Sequence, residues 1–102
     1  MKTFKIEKKH LNKNNHYIGK EDLSDYDGNI ESDESLGYVV FKKSLKAKGY
    51  IYFKAGSGIK AGRGIEAGSG IKAGWGIKAG SGIEAGSGIE AGSGIEAGWE
   101  RY

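Results

Sequence analysis

The sequence predicts an all-β fold, a parallel β-solenoid (β-helix), and three observations predict it. From Phe53 to Trp99 one six-residue unit recurs, Ile-(Lys/Glu)-Ala-Gly-x-Gly, with isoleucine at 59, 65, 71, 77, 83, 89 and 95 and alanine two positions after each. A short fixed period at an apolar position marks one structural rung, copied and stacked. Two glycines in every six residues exclude helix, at a cost of about 2 kcal/mol per unit relative to alanine. Glycine does not fall at every third position, which excludes a collagen helix.

Each element follows in order. Phe4 and Ile6 alternate with polar residues over 3–8, the pattern of a short strand. Residues 12–15 form a polar turn, and 25–29 another, with Gly28 free to take positive φ. The β-branched and aromatic run 38–41 predicts a strand. Leu45, Ala47, Gly49, Ile51 and Phe53 carry the alternation into the repeats, where Phe53 and Ala55 are expected in the isoleucine and alanine slots. Residues 1–52 therefore read as an irregular N-terminal β cap containing an acidic stretch, and 53–102 as the hexapeptide-repeat solenoid. A cap shields the unpaired backbone of a terminal rung. Within a unit, isoleucine and alanine share a face and the charged residue between them points away. Gly-x-Gly then supplies the corner, using backbone angles open to glycine.

The variable positions bear on coil size. In a flat, two-sided coil of 12 residues, Arg63, Trp75, Ser87 and Trp99 line one edge, and Lys54, Glu66, Lys78 and Glu90 alternate in sign up one face. Opposite charges on neighbouring strands each contribute about 0.2–1 kcal/mol over alanine pairs. The two-sided coil is the preferred reading, and a triangular coil of 18 residues is the alternative.

The 102 residues suit one small domain, and 37% hydrophobic content with 19 glycines suits a thin stacked core. The absence of cysteine excludes a disulfide framework, a thiolate metal site and a cysteine nucleophile. No apolar run approaches the roughly 20 residues of a membrane helix. The opening MKTFKIEKKH is charged where a signal peptide is apolar. The expected location is the cytoplasm of a host bacterial cell, with no membrane contact. A net charge of +3 permits an anionic partner without demanding one. His10 and His16 stand in a polar, basic stretch, and no nucleophile–base order, metal spacing or phosphate loop accompanies them. The chain is accordingly expected not to be an enzyme and to need no cofactor or metal.

Two surfaces qualify as partner-binding candidates. The first is the edge of Arg63, Trp75 and Trp99, with Arg101 and Tyr102 just beyond. Tryptophan and arginine are enriched at interface hot spots, although an indole can equally fold over a glycine corner to shield backbone. The second is the acidic stretch with Glu21, Asp22, Asp25, Asp27 and Glu31, a surface for a basic partner. Its oxygens alternate as in calcium loops, but Gly28 falls fourth where an EF-hand places glycine sixth. The basic run 42–63, interleaved with Tyr50, Tyr52 and Phe53, uses the residue types of single-strand binding. Lysine on strand exteriors is the ordinary solvated arrangement, and nucleic acid is not the expected partner. Ice binding is weighed because short flat coils serve it, but these faces carry Lys and Glu in place of ranked threonines.

The stretch GSGIKAGRGIEAGSGIKAGWGIKAG resembles the Gly-rich hexapeptide tracts of small bacterial phage and prophage proteins, and GNIESDESLGYVVFKKSLKAKG resembles their lead-in. The resemblance covers residues 53–99 and carries no residue-level mark of activity. It implies an inhibitor of host defence of the anti-CRISPR kind, blocking a host protein complex by steric occlusion. The other reading is a structural, self-assembling module, a homodimer through the coil ends included.

Overall fold

A computed structural model describes residues 1–101 of the chain, with backbone alone for residues 99–101. It is an all-β parallel solenoid. Strand β1 is Thr3–Ile6, followed by a 3-10 turn at Lys8–His10 and by β2, Asn29–Ser32. Then come β3 (Gly37–Phe41), β4 (Leu45–Ala47) and β5 (Ile51–Phe53), which form one coil. The next coil is β6 (Ser57–Ala61), β7 (Ile65–Ala67) and β8 (Gly70–Ala73), and the third is β9 (Ile77–Ala79), β10 (Gly82–Ala85) and β11 (Gly88–Ala91). Strands β12 (Ile95–Glu96) and β13 (Trp99–Arg101) follow. Three parallel sheets result, in the orders β1-β2-β5-β8-β11, β13-β10-β7-β4 and β12-β9-β6-β3.

The coil is three-sided, which corrects the flat 12-residue reading. Ile59 pairs with Ile77, Ile65 with Ile83 and Ile71 with Ile89, each eighteen residues on. Each corner explains the closure. Its residues stay in the rung-to-rung ladder: Trp75 N–H donates to Ser57 O at 2.8 Å and Ser87 N–H to Ser69 O at 2.7 Å. From Gly62 onward no corner glycine takes positive φ; among the described residues the positive-φ glycines are Gly37 and Gly56. Such corners bend the chain gently, and three of them are needed to close a turn. The first coil also brings Phe41 and Phe53 together inside, edge to face at 6.4 Å between ring centres, a bulk that suits a triangular bore.

Glycine therefore serves close approach more than unusual backbone angles. A Cβ at the first glycine of a corner, such as Gly62, Gly80 or Gly92, would collide with the carbonyl oxygen of the rung below. The second glycine is unencumbered at Gly88 and Gly94, where an added Cβ meets nothing within 4 Å. Gly28 likewise stays out of the positive-φ set; a Cβ there would collide with Lys2 O.

The first coil departs from the repeat by two residues. Ile51 pairs with Ile71 and Phe53 with Ala73, twenty residues on. Ile51 and Phe53 thus hold the isoleucine and alanine slots, and Ala55 is exposed, in place of the expected Phe53 and Ala55. The extra length is absorbed at the corner before β6, where Gly56 has φ +85, a value that strains residues with a side chain.

The core is a column of side chains on each face. Val39, Ile59 and Ile77 are fully buried on one, Leu45 and Ile83 on the second, Ile30 and Ile51 on the third. Burying each contributes about 1.5–3 kcal/mol. Below the first coil the chain runs once more around the axis. His16 bridges Val40, Tyr26 bridges Ala47, and β2 pairs with β5. Asn15, with φ 62, donates its side-chain amide to Leu36 O at 2.6 Å and Tyr38 O at 3.0 Å, tying this turn to β3. Phe4, Tyr17 and Tyr26 meet edge-on beneath the core and close that end.

Candidate partner-binding surface

On strand exteriors the residue between isoleucine and alanine faces solvent, so it meets its neighbour one coil away. Lys46 pairs with Glu66 at 3.2 Å, Lys72 with Glu90 at 3.6 Å and Lys78 with Glu96 at 3.9 Å. These exposed pairs are each worth about 0.2–1 kcal/mol. The glutamate beside Lys46, by hydrogen bond and then by charge, raises the pKa of its ammonium.

Among the described residues two neighbour pairs on the strand exteriors are like-charged, Glu66 with Glu84 and Lys60 with Lys78. Tyr38 reconciles the two lysines, since both ammonium groups lie over its ring, at 5.0 and 5.7 Å from the centroid. That range allows a cation–π attraction of about 0.5–1 kcal/mol at exposed sites. Tyr38 stands in the register of Gly58, and its ring lies along the glycines of the coils above. A Cβ at Gly58 would sit 2.6 Å from Tyr38 Cε1. The Tyr38 hydroxyl accepts the N–H of Gly76 at 3.1 Å.

Trp75 occupies the corner between β8 and β9, 41% exposed. Its indole leans on Tyr38 with ring centres 5.5 Å apart and planes at 60°. The corner residue is bonded on both sides, to Ser57 O through its N–H and from Ser93 N–H through its carbonyl. Trp75, Tyr38, Lys60 and Lys78 form one aromatic and cationic patch on a rigid rung. Nothing in the spacing of the repeat marked Tyr38 as a member; its signal was an aromatic residue in the register of a glycine column.

The edge expected from the flat coil is divided. Arg63 lies at the corner between β6 and β7, where Ser81 N–H bonds its carbonyl, and Trp75 lies at a different corner. Arg63 and Trp75 therefore do not share an edge, because eighteen-residue stacking puts Trp75 over Ser57. Trp99 and Arg101 belong by backbone to β13, which pairs Gly82 with Trp99; their side chains, and Tyr102 altogether, lie outside the described residues.

The acidic stretch is stacked against the basic coil above it. Asp27 meets Lys48 at 3.6 Å, and Asp25 also acts on the charge of Lys46. Asp22 accepts the Ser24 hydroxyl at 2.6 Å and its N–H at 2.9 Å, and these bonds lower its pKa. Glu21 offers its carbonyl to the Tyr17 hydroxyl at 2.8 Å. Burial first, and then the charges of Glu21 and Asp22, push the Tyr17 pKa up to about 12. Glu31 lies on another face and accepts the Tyr50 hydroxyl; that bond, more than burial, raises the Tyr50 pKa. Asn29 Oδ1 accepts Tyr50 N–H at 2.9 Å. Asp27, Asn29 and Glu31 thus engage separate partners, and no group of three or more potential metal ligands occurs among the described residues.

His10 Nδ1 accepts the N–H of Glu7 at 2.9 Å and its ring packs against Phe4. No described helix is long and apolar enough to cross a membrane. Comparison with protein-family models, with curated proteins and with solved structures returns no match.

Proposed function

We propose that this chain is a non-enzymatic binding protein that blocks a larger protein partner by steric occlusion, with the Trp75 patch as its contact. One observation carries the reading: a large indole, 41% exposed, is held by Tyr38 on a hydrogen-bonded corner. An anchor already fixed in place loses little freedom on binding, and tryptophan is the residue type most enriched where binding energy concentrates. Lys60 and Lys78 beside it favour a partner surface with acidic residues around an apolar pocket. The acidic stretch contributes less, because its charges are offset by the coil above. Inhibition of bacterial defence, CRISPR interference included, is the partner class that the phage-tract resemblance implies.

The test is inhibition of purified bacterial interference complexes, with Trp75→Ala compared to the natural chain. A hot-spot tryptophan is worth at least about 2 kcal/mol, so inhibition should weaken about 30-fold. Loss of the ring contact should cost stability no more than about 1.5 kcal/mol. Unchanged inhibition by the variant, or no inhibition by the natural chain, removes the reading. The assembly reading uses a different surface. Ile89, Ala91, Ile95 and Ala97 are only partly buried, and β11 and β12 pair on one side only among the described residues. Light scattering that grows with concentration would favour it.

A further inference from the structure

The three faces of the solenoid carry equivalent troughs. In each, the glycine preceding the isoleucine stacks on its counterpart one coil away: Gly58 with Gly76, Gly64 with Gly82, Gly70 with Gly88. Tyr38, Ser44 and Tyr50 stand at the foot of these columns. On the first face the chain fills its own trough with the Tyr38 ring. On the third, Tyr50 turns the other way and donates its hydroxyl to Glu31. The trough over Gly70 and Gly88 stays open, a cavity of about 560 Å³ bordered by Tyr50, Tyr52, Lys72, Ser87 and Glu90. A Cβ at Gly88 would meet nothing within 4 Å, and one at Gly70 only Gly88 O at 3.5 Å. The second trough is smaller, about 290 Å³, with Ser24, Ser44, Lys46, Glu66 and Glu84 around it and no aromatic wall.

We propose that the open trough over Gly70 and Gly88 is a docking site for a tyrosine side chain of a partner protein. The chain itself shows what such a trough takes, since Tyr38 lies in the equivalent one. The charges complement a phenol. Lys72 holds on this face the register that Lys60 holds beside Tyr38, and its ammonium already stands 5.6 Å from the Tyr52 ring centre. A cation there attracts the negative face of an aromatic ring. Glu90, paired with Lys72 at 3.6 Å, is a carboxylate for the phenol hydroxyl, as Glu31 is for Tyr50 on the same sheet. Tyr50, tethered to Glu31, is kept from occupying the site. The inference rests on the binding reading only in taking the partner to be a protein, and Trp75 belongs to a different column.

The experiment is an NMR titration of the full chain with p-cresol and with N-acetyltyrosine methylamide. Both should shift the Gly70 and Gly88 amides saturably, with dissociation constants on the order of 1 mM for such small probes, and leave Gly58 unmoved. Gly88→Val fills the trough and should weaken both probes about tenfold or more. Lys72→Met leaves the glycine column untouched and should also weaken them. Trp75→Ala should bind the probes as the natural chain does, so failure of the Trp75 reading and failure of this one are read separately. Absence of saturable shifts overturns the proposal. So do equal shifts with 4-methylcyclohexanol, undiminished binding by both trough variants, or binding of p-cresol without N-acetyltyrosine methylamide.

Discussion

A pair of cysteines can decide how many sides the coil has. The chain contains no cysteine, so an introduced pair has no competitor. Lys72 and Glu90 are direct partners on β8 and β11, where adjacent strands run about 4.8 Å apart. Disulfides accept Cα separations of about 4.4–6.8 Å. Lys72→Cys with Glu90→Cys should therefore oxidise readily. The closed loop would hold eighteen residues, and a loop of that length gives about 3 kcal/mol by restricting the unfolded chain. One kcal/mol moves the melting temperature of a domain this small by about 4–8 °C. Oxidised protein should thus melt about 12–24 °C above the same variant reduced, less any strain in the bridge. Comparing the two redox forms of one variant cancels the lost Lys72–Glu90 ion pair. The control is Lys72→Cys with Glu84→Cys, twelve residues apart, neighbours in a flat coil but on different sheets here. Thiol titration and non-reducing mass spectrometry read the bridges, and circular dichroism reads the melt. Closure of the 72–84 pair while the 72–90 pair stays reduced would refute the three-sided coil.

The two glycines of a corner should respond oppositely to alanine. Gly80→Ala drives a Cβ into Gly62 O and should destabilise by about 1–3 kcal/mol. Gly88→Ala meets nothing within 4 Å and should be neutral or stabilising by about 0.4–1 kcal/mol; equal losses in urea titrations would sink the distinction. Ile77 is fully buried at the middle of its column, so Ile77→Ala should cost about 2–5 kcal/mol. Ile95→Ala, at a partly buried site, should cost less. Hydrogen exchange should show the flanking rungs losing protection together with the Ile77 rung, and protection kept on either side would argue against one cooperative stack. Tyr17 has a folded pKa near 12 against an ordinary value of 10.0. Its neutral form is thus favoured in the fold, and its contribution is complete below pH 10 and is lost as pH rises toward 12. Phenolate absorbance should titrate near 12 and revert toward 10 on unfolding, with Tyr17→Phe removing the late step; titration near 10 in the folded chain would contradict the burial.

Much of this architecture is written locally. The six-residue period names the strands, their inward isoleucine and alanine, and the corners, because side-chain alternation and glycine's missing Cβ act within a few bonds of one residue. The strand reading at 38–41 holds for the same reason, as β3, and that at 3–8 holds over Thr3–Ile6, as β1, before the 3-10 turn takes over at Lys8. Of the candidate sites, Trp75 was legible as an exposed indole at a corner, and the acidic stretch as a surface run. What the period could not carry is closure. A hexapeptide repeat is compatible with two sides or three, and the choice depends on how sharply each corner bends and on contacts eighteen to twenty residues apart. The two extra residues before β6 reset every column below the repeats, which moved Phe53 from the isoleucine slot to the alanine slot, turned Ala55 outward and removed Lys54 from the charge ladder. Tyr38 entered the glycine column for the same nonlocal reason. A ring from one coil lies over the backbone of the next two, and only stacking tells which glycines those are.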